Sequence, residues 1–186
     1  LKIGFTASAL SSESRDINGG VFHELYGAAP TLPVFYKDGS YGDPNDYHTG
    51  DGNNYNPQAT LDFFNQKSRN KRFTGNIYGE LTLLKDFKFK TSYGGDIGQA
   101  EVRSYTPVYH ATTAQQSTSA SFDLQHTETR NWIWENTLTY NKTIGDHKIT
   151  GLVGMTAQNY ATYYAHGFAK DVPYVANGSL IGSFPS

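Results

Sequence analysis

Long and short connections alternate strictly along this chain, and that rhythm limits its fold more than any other feature. Period-two counting marks five strand segments, at roughly 1–15, 70–84, 87–104, 120–143 and 147–165. In the first, Leu1, Ile3, Phe5, Ala7 and Ala9 oppose Lys2, Gly4, Thr6 and Ser8. In the second, Phe73, Ile77, Leu81 and Leu83 share a face with Gly75 and Gly79, against Arg72, Thr74, Asn76, Tyr78, Glu80 and Thr82. The third sets Phe87, Phe89, Tyr93 and Ile97 against Lys88, Lys90, Ser92 and Asp96. The fourth sets Trp132, Trp134, Leu138 and Tyr140 against Glu135, Thr137, Thr139 and Asn141. The fifth sets Ile149, Val153, Met155 and Ala157 against Lys148, Thr150, Thr156 and Gln158. Ile133, Asn136 and Leu152 break the pattern, through either a bulge or an interior contact.

The second and third segments meet through "LKDF", and the fourth and fifth through "TIGDH", where Gly145-Asp146 suits a tight hairpin. The remaining connections are long: residues 16–69, residues 105–119 and the stretch from about 166. Transmembrane β-barrels have this rhythm, with short turns on the periplasmic side and long loops outside. Soluble sandwiches do not usually have it, and their strands are commonly only about 5–6 residues long.

Composition agrees with β-structure. Hydrophobic residues make up 37% of the 186 residues, yet aromatics reach 15%, with 14 Tyr and 11 Phe, and there are 19 Gly and a single Met. Rings and Thr favour strands, and Gly within a strand needs a local reason, such as a neighbouring ring. The net charge of −2 argues against a nucleic-acid partner. With no cysteine there is no disulfide framework and no thiolate metal site. No run of 18 apolar residues is present, which excludes a spanning helix but not a spanning barrel, whose strands are only weakly hydrophobic in sum. The opening "LKIGFTASALSSESR" already alternates like a strand and is no signal peptide, so the chain is expected to be an internal piece of a longer protein.

These features assign the apolar face to lipid and the polar face to a wet interior. Trp132 and Tyr140 lie eight positions apart on one face. In a tilted strand that is roughly 20 Å along the membrane normal, close to the spacing of two aromatic girdles. The competing reading is a soluble barrel or sandwich with the apolar face in its core.

Several stretches resemble the SusC-like (RagA-like) family of TonB-dependent outer-membrane transporters. They are "INGGVF" (17–22), "APTLPVFYKDGSYGDP" (29–44), "NPQATLD" (56–62), "KSRNKRFTGNIYGELTLLKDFKFKTSYGGDI" (67–97) and "NWIWENTLTYNKTIGDHKITGLVGMTAQ" (131–158). The resemblance implies an all-β, antiparallel up-and-down barrel of about 22 strands with a plug inside. It further implies a bacterial outer-membrane location, a SusD-like surface lipoprotein as partner and energy from TonB through the plug. It implies import of oligosaccharides or, in some members, peptides. Residues 1–186 show no plug, TonB box or N-terminal domain, and read as part of one barrel domain. About five strands cannot close a barrel, and open edges in lipid are untenable, so the remaining strands of the same barrel are expected partners. A structural barrel that scaffolds partner proteins is the alternative function.

No catalytic signature is present: no G-x-S-x-G, H-E-x-x-H or P-loop. The pair Asp46 and His48 is a D-x-H spacing that arises readily by chance, and no partner for nucleophile activation can be named. The chain is therefore expected not to be an enzyme and to carry no cofactor. "GDPNDYHTGDGNNYNP" (42–57) offers Asp43, Asn45, Asp46, Asp51 and Asn53 as oxygen ligands for Ca²⁺, but without EF-hand spacing. The same residues are what tight turns use, and the turn reading is preferred. Tyr36, Tyr41, Tyr47, Tyr55, Tyr105 and Tyr109 in the long connections offer flat faces and hydroxyls to a substrate. Packing of the loops on themselves is the competing role for each of them.

Overall fold

The computed structural model describes residues 1–47 and 55–172. Its strands are β1 (Lys2–Arg15), β2 (Asn65–Leu83), β3 (Phe87–Thr106), β4 (Tyr109–His110), β5 (Gln116–Ser117), β6 (Ser121–Ile144) and β7 (His147–Lys170). Five of them form one antiparallel up-and-down sheet in the order β1-β2-β3-β6-β7, and β4 pairs with β5 separately. All five expected strands are present. β2 begins earlier and β7 ends later than the alternation alone suggested. At 19, 20, 24 and 24 residues, β2, β3, β6 and β7 exceed ordinary strand length several-fold. Among the described residues no helix is long and apolar enough to cross a membrane, which leaves any crossing to strands.

Sequential antiparallel neighbours put both short turns at one end of the sheet. A contact there agrees: the Asn141 N–H donates to the Asp86 carbonyl at 2.8 Å, and Lys142 Nζ meets the Asp86 carboxylate at 2.5 Å. Asp86 belongs to the turn between β2 and β3, and Lys142 lies just before the turn between β6 and β7. Gly145 takes φ +58°, the conformation that a tight hairpin requires. The other turn obtains it without glycine, from Leu84 (φ 49°) and Lys85 (φ 62°).

Two compact units divide the chain. The first comprises Leu1–Ser12, Arg69–Ala100 and His126–Ala165; the second comprises Glu13–Ser68, Glu101–Gln125 and the residues from His166.

The first unit is a single layer of sheet with two chemically distinct faces. On one, Tyr93 stacks on Trp132 (6.1 Å between centroids), Phe87 tilts against Tyr140 (4.8 Å), and Trp134 Nε1 donates to Thr91 Oγ1 at 3.0 Å. Phe73, Ile77, Leu81, Val153 and Met155 lie exposed on this face. On the other, Arg72 pairs with Asp96, Lys88 with Glu80 at 2.9 Å, and Lys90 sits 5.2 Å above the Tyr78 ring. The alternation runs on through two of the exceptions. Ile133 lies on the polar face over Gly94, where a Cβ would stand 3.2 Å from Ile133 Cγ2, so an interior contact explains it. Asn136 stays on the apolar face, and its buried Nδ2 has no partner among the described residues. Gly4 leaves room for the Tyr78 ring, which would lie 2.5 Å from an added Cβ.

The second unit holds short helices α1 (Val21–Gly27) and α2 (Pro57–Phe63), a 3₁₀ turn at Pro44–Tyr47, and the β4–β5 ladder. Its small core joins Tyr105, Ala120 and Phe122, with Leu124 and Val172 against them.

Candidate functional site

The second unit contains residues 16–68 and 105–119 of the long connections, and a buried Asn–Gln pair ties these two stretches together. The sequence "NP" at 56–57 starts α2 in the usual way: Asn56 Oδ1 accepts from the Gln58 N–H at 3.0 Å, and Pro57 fills a first-turn position. Asn56 is 1% exposed. Its Nδ2 donates to the carbonyls of Val34 and Gly42, each at 3.0 Å, and its N–H donates to Gln115 Oε1 at 2.5 Å. Gln115 Nε2 returns bonds to the Asn56 carbonyl (3.1 Å) and Thr60 Oγ1 (2.8 Å). Such a network is stable only when complete, because each orphaned buried group costs about 1–3 kcal/mol.

A second tie is ionic in character. Asp43 Oδ2 accepts from the N–H (2.8 Å) and the hydroxyl of Thr113, and Oδ1 accepts from the N–H and Nδ2 of Asn45, both at 2.9 Å. Burial opposes ionisation of Asp43, but the bonds from Thr113 and Asn45 outweigh it and hold its pKa below the usual 3.8.

The loop tyrosines fall into different environments. Tyr105 is buried in the small core. The Tyr36 hydroxyl donates to Asp46 at 2.5 Å and accepts from the Asp43 N–H at 3.0 Å; the bond to Asp46 raises its pKa. Burial first, then the Asp62 carboxylate that accepts its hydroxyl at 2.9 Å, push Tyr41 up to about 12. Tyr41 and Tyr109 are joined through Phe63, which tilts against the first (5.8 Å) and stacks on the second (4.1 Å). Tyr47 is half-buried at the end of the 3₁₀ turn, and Tyr55 is 45% exposed. Only Tyr55 and Tyr109 of the six line a hollow of about 360 Å³, which Glu24, Thr60, Phe63 and Gln116 also border. Its mixture of ring faces, amides and hydroxyls can hold a polar ligand by stacking and hydrogen bonding.

Of the oxygen ligands weighed for calcium, Asp43 and Asn45 bond to each other and Asp46 takes the Tyr36 hydroxyl. Asp51 and Asn53 lie outside the described residues, as does His48. Among the described residues no three His, Cys, Asp or Glu side chains gather as a metal site would require. The sequence reading missed Asn56 and Gln115. The Asn-Pro helix start could have flagged the first; nothing local distinguishes the second.

A single-layer, up-and-down sheet with an aromatic-edged apolar face and an ion-paired polar face has the build of a barrel wall. Comparison with curated proteins agrees. The chain is 27% identical over 145 residues to TonB-dependent receptor P3 of Formosa agariphila, a match covering 75% of this chain and 13% of that protein. It is 23% identical over 151 residues to TonB-dependent receptor P26 of the same organism, covering 80% of this chain and 15% of that protein. These likenesses support the TonB-dependent receptors as the family, and the chain spans only about an eighth to a seventh of the length of the relatives it matches. No family model matches the chain.

Proposed function

We propose that residues 1–186 form a wall segment, with its outer loops, of a TonB-dependent transporter in a bacterial outer membrane. The observation that carries this reading is the two-faced sheet. Rings at Phe87/Tyr140 and Tyr93/Trp132 edge an apolar face, while Arg72–Asp96 and Lys88–Glu80 pair on the other. In a membrane barrel the first face meets lipid and the second lines the lumen. The two short turns then lie on the periplasmic side and the long connections 16–69 and 105–119 outside.

The finer reading is a SusC-like member of about 22 strands. Its plug would contact TonB, a SusD-like lipoprotein would cover the outer face, and it would import oligosaccharides or peptides. Within the loops, Tyr55 and Tyr109 are the tyrosines best set to meet such a substrate, because they border the hollow while Tyr105 is enclosed.

The test is uptake by cells carrying the full-length gene. Accumulation of labelled oligosaccharide or peptide should depend on both that gene and TonB. Accumulation unaffected by deleting the gene, together with docking of a second protein on the barrel in cells that keep the gene, would leave the scaffold as the better function.

A further inference from the structure

The hollow of the second unit has a carboxylate on its border. α1 turns Val21 and Glu24 inward and leaves Phe22, Leu25 and Tyr26 exposed. Burial of apolar area alone would favour the reverse, and a glutamate with only 8% of its surface exposed is uncommon. Glu24 borders the hollow of about 360 Å³ together with Tyr55, Phe63, Tyr109 and Gln116. Among the described residues on that border there is no Lys, Arg or His, and Glu24 is the one with a formal charge.

The neutral groups there suit a cation as well. Phe63 and Tyr109 stack at 4.1 Å, and Tyr55 stands on the same border. Burial first, then the neighbouring Tyr55, raise the pKa of Tyr109, which keeps it an uncharged phenol. Gln115 is already committed, its Oε1 to the Asn56 N–H and its Nε2 to the Asn56 carbonyl and Thr60 Oγ1. Gln116 spends its Nε2 on the Thr113 carbonyl at 3.1 Å, so the end it brings to a ligand is the accepting Oε1. The border thus offers a carboxylate, an amide oxygen, phenol oxygens and ring faces.

We infer that this hollow holds a primary ammonium group of the substrate, with the Glu24 carboxylate as its counter-charge and the Tyr55 and Tyr109 rings beside it. The inference rests on the reading of the long connections as the outer loops of a transporter. It narrows that reading from any oligosaccharide or peptide to one that carries an amine. An ammonium has three donors and no acceptor, which matches these groups. Enclosure strengthens its attraction to Glu24, since little water screens the pair, and ring faces attract it further. The same carboxylate repels carboxylated and sulfated saccharides. Ligand pockets usually run to about 300–1,000 Å³, so this small one takes the amine-bearing end of a substrate rather than a long chain.

The experiment uses the full-length receptor in detergent, with binding read by isothermal titration calorimetry. The probes are tetraalanine amide with a free amino terminus, its N-acetyl form, an N-acetylated peptide amide with one lysine, a glucosamine trimer and its N-acetylated form. At least one amine-bearing probe should bind, and removing its charge by acetylation should weaken it about tenfold, as loss of a charge-assisted bond does. The arms tell an amino terminus, a lysine and an amino sugar apart. Glu24→Gln keeps the shape of the side chain and should lose about the same factor, and Tyr55→Ala about threefold. Heat-modifiable migration checks that each variant is folded. Tyr55 is 45% exposed, so Tyr55→Ala and the acetylated probes decide the matter if Glu24→Gln does not fold. Equal binding of free and acetylated amines, no binding of any amine, or unchanged affinity in folded Glu24→Gln overturns the site. Uptake of the bound probe below saturation separates the two readings. Uptake that needs the gene and TonB but is equal in wild type and Glu24→Gln sinks the ammonium site alone. Binding as expected without gene-dependent uptake sinks the transport reading and keeps the site.

Discussion

Asn56 shows how much one side chain can organise. It caps α2 and fastens the carbonyls of Val34 and Gly42, while the backbone N–H and carbonyl of the same residue exchange two bonds with the Gln115 side chain. Asn56→Ala removes the amide and leaves those two carbonyls short of a partner, at an expected cost of about 1–3 kcal/mol. The cost should appear as faster amide hydrogen exchange in residues 57–63 and 111–117 of the full-length protein. Unchanged exchange there would mean that the loops are held by other contacts. Asp43 adds a pH dependence. Its pKa in the folded loops lies below the ordinary 3.8, so the tie to Thr113 is fully stabilising above that value. The stabilisation is lost as pH falls through the lowered folded pKa. Protease cleavage of the loops should therefore rise in acid below pH 3.8 in the native protein, and Asp43→Asn should flatten that rise. An identical acid profile in the variant would assign the effect to Asp16 or Asp38, whose pKa values are also lowered, chiefly by bonds from Ser68 and Ser40 respectively.

At the scale of the element, the two short turns solve one problem differently. Gly145 reaches φ +58° without a Cβ penalty, whereas Leu84 and Lys85 hold positive φ with side chains attached. Lys85→Gly should relieve about 1 kcal/mol of that strain in the β2–β3 hairpin, offset in part by the greater freedom of glycine in the unfolded chain. Urea unfolding of the full-length protein in lipid measures the net gain; a loss would show that the Lys85 side chain contributes more than its backbone costs. The long strands carry a stronger test of facing. Leu81→Arg or Val153→Arg should cost up to about 2–4 kcal/mol near the bilayer midplane and less toward the interfaces. A neutral result at both positions would place that face in water.

For the whole molecule, the arrangement β1-β2-β3-β6-β7 leaves β1 and β7 as edges. Five alternating strands put the two end strands parallel, so an antiparallel closure of the sheet on itself is excluded. In hydrocarbon each unpaired N–H or C=O costs several kcal/mol. Residues 1–186 expressed alone should therefore fail to fold as a monomer in lipid. Heat-modifiable migration and the fluorescence of Trp132 and Trp134 report on this, and a folded monomeric fragment would make the chain a complete small barrel.

The strands, their two faces and the shared end of the short turns were legible in the sequence by itself. Those features depend on residues two apart: Phe73, Ile77 and Leu81 declare one side of β2 whatever the rest of the chain does. A preference for left-handed backbone is equally local, which is why Gly145 was readable, though Leu84 and Lys85 were not. Only the tertiary structure decided the loops. Gln115 finds Asn56 across 59 positions, Thr113 finds Asp43 across 70, and no periodicity links such residues. The same holds for the tyrosines. Tyr105 and Tyr109 are near neighbours of one type in one connection, yet one is enclosed with Ala120 and Phe122 while the other stacks on Phe63 beside a hollow. Alternation tells which way a strand residue points, but what lies in front of a loop residue depends on how distant segments meet.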